Sequence, residues 1–185
     1  MQPICSDQIQ ARLQVLTDHE HEERPALEGQ RSSAVLIPIL RREGNPILYT
    51  LRSRHLKHHA NQFSFPGGVV EDGESPWQAA LREAEEEIGL EPGRVTRMGR
   101  ISDVYSPRGF HIQCFVGLVD PFEPRLNEQE VERVIEVHMS QLFESQRHSL
   151  RPFMNRYKVH YFDFSEGLVW GVTGQITYNL REALL

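Results

Sequence analysis

Residues Gly68–Leu90 read GVVEDGESPWQAALREAEEEIGL, and the fold turns on how this stretch is read. Its second half has the clearest helix boundaries in the chain. Ser75 is a good N-cap, Pro76 suits the first helical position, and Gln78 completes a capping box with Ser75. Gly89 predicts the stop, and Pro92 prevents the helix from resuming. At roughly 100° per residue, Trp77, Ala80, Leu81, Ala84 and Ile88 fall on one core-facing stripe. Glu83, Glu86 and Glu87 gather on a different face, away from Glu85. Like charges three and four residues apart repel, so this face needs a positive partner. Three convergent carboxylates are hard oxygen ligands of the kind that suits Mg²⁺ or Mn²⁺. The plainer alternative is a solvated acidic face with basic neighbours.

Composition narrows the choice. At 185 residues the chain is long enough to bury a full core as one domain. A share of 39% hydrophobic and 25% charged residues is ordinary for a soluble globular protein. The net charge of −6 argues against broad binding to nucleic acid or anionic membranes, which need a basic face. Cys5 and Cys114 have no CxxC spacing, which predicts free thiols in a reducing compartment. The first residues lack a charged segment followed by an apolar one, and the run Ala34–Leu40 is too short to span a bilayer. These features predict a cytoplasmic protein.

Outside the helix the pattern alternates between strands and helices. An N-terminal helix is predicted from Ser6 to about Leu16, with Ile9, Leu13 and Leu16 as its apolar stripe, followed by a polar connector through Gln30. Residues 1–30 therefore precede the main domain, 31–185. Ala34–Leu40 reads as a buried strand, with Pro38 marking an edge or a bulge. Gly44-Asn45-Pro46 supplies a turn and Ile47–Leu51 pairs back; Phe65–Gly68 is expected to be loop. Strands are predicted near Val95–Val104, His111–Val119, Val159–Phe164 and Leu168–Val172. A short helix is expected from Ser140, and a last helix carries Ile176, Leu180 and Leu184. The mixture predicts an α/β domain.

Read outward from the acids, the spacing is Gly68, five residues, Glu74, seven residues, Arg82-Glu83-Ala84, one residue, Glu86-Glu87, one residue, Gly89-Leu90. This resembles the Nudix box, GX5EX7REUXEEXGU with U aliphatic, at every position. Its seven fixed residues, at roughly 7% each, would match a random window about once in 10⁸. The resemblance implies an α/β/α sandwich with a mixed β-sheet, in which a catalytic loop–helix–loop holds divalent ions against a diphosphate. It implies Glu83, Glu86 and Glu87 as ligands of Mg²⁺ or Mn²⁺ and as catalytic residues. Gly67 and Gly68 allow close approach of the substrate, since they lack a Cβ. Glu74 and Arg82 are expected to brace loop and helix through a salt bridge. Within such a site a carboxylate accepts the proton of the attacking water. Glu130, in LNEQEVERVIEV, is the best distal candidate for that base, ahead of Glu128.

Upstream, Leu48–Gly68 reads LYTLRSRHLKHHANQFSFPGG. It resembles the signature of coenzyme A pyrophosphatases among Nudix hydrolases, LLTXR(S/A)X3RX3GX3FPGG. Leu48, Thr50, Arg52, Ser53 and Phe65-Pro66-Gly67-Gly68 match in place. Tyr49 stands for a Leu, Lys57 for an Arg without its bidentate fork, and Asn61 for a Gly. Asn is the side chain that best tolerates a left-handed backbone. Residues 52–59 carry Arg52, Arg54 and Lys57 with three histidines and no acid, an island that suits a ligand with several phosphates. Ser32–Leu40, Val169–Ile176 and, more loosely, Asp103–Val119 extend the likeness over Ser32 to Leu180.

The resemblance implies hydrolysis of coenzyme A or acyl-CoA to 3′,5′-ADP and (acyl-)4′-phosphopantetheine. Arg52, Ser53, Lys57, Phe65, Gly67 and Gly68 would be its substrate-binding residues. The alternatives are a Nudix hydrolase of another nucleoside diphosphate derivative, such as ADP-ribose or NADH, and a non-catalytic ligand sensor on the same fold. A homodimer is among the assemblies the resemblance allows, and neither nucleic acid nor membrane is an expected partner.

Overall fold

The computed structural model describes residues 7–9, 11–12, 29–154 and 157–185. Residues 7–9 and 11–12 are helical, with Ile9 fully buried; Ser6, Leu13, Leu16 and Cys5 lie outside the described residues. Seven strands form one mixed sheet: β1 (Arg31–Leu40), β2 (Ile47–Arg52), β3 (Phe63–Ser64), β4 (Gly67–Val69), β5 (Val95–Tyr105), β6 (Phe110–Val119) and β7 (Val131–Val137). Three more, β8 (His148–Phe153), β9 (Tyr157–Phe164) and β10 (Gly167–Trp170), form a small antiparallel sheet. Two helices, α1 (Pro76–Ile88) and α2 (Gly171–Ala183), cover the faces. Among the described residues no helix is long and apolar enough to cross a membrane.

β1 is the hub. It runs parallel to β6 from Arg31 opposite Phe110 to Leu40 opposite Val119, and antiparallel to β4 at one end and β2 at the other. Alternate side chains face opposite sides, as the period of a strand requires. Ala34, Leu36 and Leu40 pack with Ala79, Ala80, Ala84 and Ile88 of α1. Ile37 and Ile39 pack on the other side with Ile176 and Leu180 of α2 and with Phe162 and Phe164 of the small sheet. The result is an α/β/α sandwich with both faces of the mixed sheet buried.

Several expectations need correction. Pro38 lies in the central strand, not at an edge or a bulge. Leu36 donates its amide to Pro66 and Leu40 donates to Pro46, so Pro38 stands between them, where the flanking partner changes from β4 to β2. A residue with no N–H costs nothing at that gap. Gly67 and Gly68, expected in a loop, pair with Val35 and Ala34. At Gly67 a side chain would sit 2.4 Å from the Ala34 carbonyl, which explains why this strand opens on glycine. The short helix expected from Ser140 is a 3₁₀ segment, Met139–Phe143, and α2 begins at Gly171, inside the strand expected to reach Val172. Leu81 is half-buried, whereas Ala79 and Glu87 are buried. Asn61 has φ +56°, the left-handed backbone its replacement of glycine requires. Cys114 is a free, buried thiol whose pKa burial pushes up.

Candidate active site

The helix that carries the acids is fixed at both ends. The Ser75 side chain accepts from the Gln78 amide while the Gln78 side chain accepts from the Ser75 amide, at 3.3 and 2.8 Å. Gly89 closes α1 at φ +69°, donating its amide to Ala84 and Glu85 carbonyls. With the phase of the helix set, Glu87 is buried, Glu83 is half-buried beside Gly68 and Glu86 faces solvent.

Arg82 organises the acids. Its Nε and Nη2 donate to the two oxygens of Glu74 at 3.1 and 2.9 Å, and Nη2 also donates to the Val69 carbonyl at 3.1 Å. Nη1 donates to Glu83 at 3.0 Å and to Glu86 at 3.2 Å. All five donors of the guanidinium are thus used, which a lysine could not reproduce. The Arg82 bond holds Glu74 below the usual carboxylate range. Glu83 moves up instead, because burial outweighs the help from Arg82. Glu87, 4% exposed, is pushed up to about 8 by burial first and then by Glu83, against the pull of Arg52 and a bond from the Gly67 amide.

The other expected residues arrive from β2 and the start of β7. Arg52 is half-buried, its charge acts on Glu87, and its buried Nε has no hydrogen-bond partner. Ser53, 3% exposed, donates its amide to the Glu130 carbonyl at 2.8 Å. Glu130 is exposed, and its charge acts on both Glu83 and Glu87, so it faces the box. Glu128 and Lys57 are exposed, the latter in the loop between β2 and β3. Phe65 is 2% exposed and stacks on Tyr49 at 4.5 Å, so its side chain is core and its role is to seat Gly67 and Gly68. Gly68 matters directly: a Cβ there would lie 2.2 Å from Oε1 of Glu83.

These residues fit a hard divalent cation by donor chemistry. A buried carboxyl beside a second one is short of positive charge, and Gly68 keeps the approach to Glu83 open. Among the described residues, no three His, Cys, Asp or Glu side chains are already gathered at ligand distances. Glu83, Glu86 and Glu87 share the region, but Arg82 holds the first two and supplies the positive charge. Sequence reasoning missed Asn127, whose amide donates to the Glu87 carbonyl at 2.9 Å and whose Nδ2 donates to Glu130 at 3.3 Å. The only local signal was an Asn ahead of a strand.

Residues 30–159 match the NUDIX domain model. The chain belongs to the Nudix hydrolase family, enzymes that act on pyrophosphate bonds with a divalent metal such as Mg²⁺ or Mn²⁺. Over 182 residues it is 36% identical to the uncharacterized Nudix hydrolase NudL of Escherichia coli K12, covering 96% of this chain and 93% of that protein. A MutT/nudix family protein from Enterococcus faecalis superposes with a TM-score of 0.56 at 15% identity, over 92% of this chain and 66% of that one. The NUDIX domain of Shewanella oneidensis NrtR, complexed with ADP ribose, superposes with a TM-score of 0.51 at 18% identity, over 69% and 85%. At these identities the two structures speak for the fold alone.

Proposed function

We propose that this protein hydrolyses the diphosphate bond of coenzyme A or its thioesters to 3′,5′-ADP and (acyl-)4′-phosphopantetheine, with Glu83, Glu86 and Glu87 holding Mg²⁺ or Mn²⁺. One observation carries the substrate reading. The segment that resembles the coenzyme A signature is joined to the box, with Arg52 acting on Glu87 and the Ser53 amide bonded to the Glu130 carbonyl. A ligand held by residues 52–57 would therefore present its diphosphate to the acids. Arg52, Arg54 and Lys57 offer positive charge for a further phosphate, and coenzyme A carries one on its ribose.

When bound, a divalent cation neutralises the diphosphate and makes a water more acidic. The chain's own residues do the rest. Arg82 keeps Glu83 and Glu86 aimed, and Gly68 leaves the approach to Glu83 clear. Glu130 takes the proton from the attacking water as the water oxygen bonds to phosphorus and the anhydride P–O bond breaks. Arg52 offers its unpartnered Nε to an anionic oxygen.

The test is incubation of the pure protein with coenzyme A, dephospho-CoA, NADH and ADP-ribose in Mg²⁺ or Mn²⁺, with products identified in ¹⁸O water. Consumption of coenzyme A in preference to dephospho-CoA is expected. Survival of coenzyme A while ADP-ribose or NADH is consumed would replace this substrate with another nucleoside diphosphate derivative. A lack of turnover with any of the four, together with ligand binding, would favour a sensor.

A further inference from the structure

We infer that Asn127 is a positioning residue for the hydrolytic step, holding the Glu130 carboxylate at a fixed distance from the metal-binding acids. The inference rests on the reading of Glu130 as the base. The segment from Arg125 to Glu130 crosses the C-terminal end of α1 as a strap. Arg125 donates its amide to Ile88 and Asn127 donates to Glu87, both at 2.9 Å. These bonds satisfy two carbonyls that a helix end leaves without partners. The Asn127 carbonyl then accepts from the amides of Glu130 and Val131 at 2.9 and 2.8 Å, turning the chain sharply into β7.

The side chain completes the link. Asn127 Oδ1 accepts from the Gln129 amide at 3.2 Å, an Asx turn that settles which way the carboxamide faces. Its Nδ2 is left directed at Glu130 Oε1, 3.3 Å away. On its far side Glu130 is held through its carbonyl by Ser53. One residue thus binds the last turn of α1 through its backbone and the carboxylate opposite through its side chain. Aspartate keeps the acceptor but sets a second carboxylate against Glu130. Serine keeps both an acceptor and a donor. Displacement of a reacting group by about 1 Å is enough to cost on the order of 10²-fold in rate.

The experiment is a double-mutant cycle with metal-loaded enzyme on whichever of coenzyme A or ADP-ribose it hydrolyses. Choosing the probe this way lets the substrate reading fail without touching this inference. Asn127→Asp is expected to lower kcat by about 10- to 100-fold with KM within about threefold, and Asn127→Ser is expected to recover part of that loss. In a Glu130→Gln background, Asn127→Asp is expected to add no further loss. Three results would overturn the inference: kcat of Asn127→Asp within twofold of the parent, a kcat unaffected by Glu130→Gln, or losses that multiply in the double variant. Multiplying losses with a lowered Tm would mark Asn127 as a helix-end brace only.

Discussion

Helices α1 and α2 are each thirteen residues long and cover opposite faces of one sheet, yet they treat polar groups in opposite ways. On α2 the polar chain from Arg181 to His160 is complementary at both of its steps, although the buried Nε of Arg181 has no partner. Arg181 has only donors and meets Nδ1 of His148 at 3.2 Å, so that nitrogen accepts. The His148 proton is therefore on Nε2 and is donated to Nδ1 of His160 at 2.8 Å. Both imidazoles are neutral, stacked with each other and with Tyr178. On α1 the reverse holds: burial first, and then the charge of Glu130, raises the cost of ionising both Glu83 and Glu87, and Glu83 adds to it for Glu87. Complementary polar groups mark a region built to stay as it is. Like charges kept together under burial mark a region completed by something else.

The sharpest way to break this contrast is Glu87→Gln. Turnover is expected to fall by at least about 10³-fold, as for loss of a group that stabilises developing charge. Metal-free stability is expected to rise. Glu87 has a folded pKa of about 8 against an ordinary 4.5, so the stability its neutral form contributes is complete below 4.5 and is lost as pH climbs through 8. Glutamine cannot ionise and escapes that loss, on the order of 1–3 kcal/mol near pH 8. Thermal melts in chelator across this range check it; a lowered Tm with turnover retained would erase the contrast.

A pair of glycines sharpens it. A Cβ at Gly174 of α2 would lie 2.3 Å from the His160 carbonyl, which is backbone and cannot yield. Gly174→Ala is expected to cost about 1–3 kcal/mol of stability while keeping most of kcat. A Cβ at Gly68 would instead meet the far end of the Glu83 side chain. Gly68→Ala is expected to change Tm little and to lower kcat about 10²-fold. Melting curves and kcat on the parent and these two variants compare them.

Acid tests the α2 side. Burial lowers the pKa of His148 and His160, Arg181 adding to this for the first and His148 for the second, while Glu182 opposes it in both. The unfolded chain therefore binds protons first. The stability is present above about 6.5 and lost as pH falls below it. With two hydrogen bonds at stake, at roughly 1 kcal/mol each, Tm is expected to drop by about 2–8 °C between pH 7.5 and 5.5. His160→Phe keeps a stacking ring and is expected to flatten that dependence. The smallest effect belongs to Tyr49→Phe, which deletes the 3.1 Å bond to Thr177 and is expected to cost about 1 kcal/mol.

α1 was legible because its information is local: cap, stop and acid spacing lie within one stretch of chain. Arg82 and Glu74 were legible for the same reason. The small sheet was harder. β8 contains Pro152 and no clean alternation, and it exists because it pairs residue by residue with β9. The histidine chain spans β8, β9 and α2, which no spacing predicts. Phe65 was assigned to the ligand because the motif does not distinguish a side chain that touches substrate from one that seats the glycines beside it. Asn127 carries no motif, since its importance comes from what the fold places around it.

The position of β1 bears on the order in which the molecule can mature. Its long parallel partner, β6, is roughly 80 residues downstream, and pairings across such distances close slowly. A growing chain that has made only the box therefore holds its acids on a sheet lacking its middle neighbour. The opposing carboxylate enters later still, at the mouth of β7. Hydrolytic competence should appear abruptly, only after β7 has docked and α2 has closed the second face of the sheet, leaving no half-active product of interrupted synthesis.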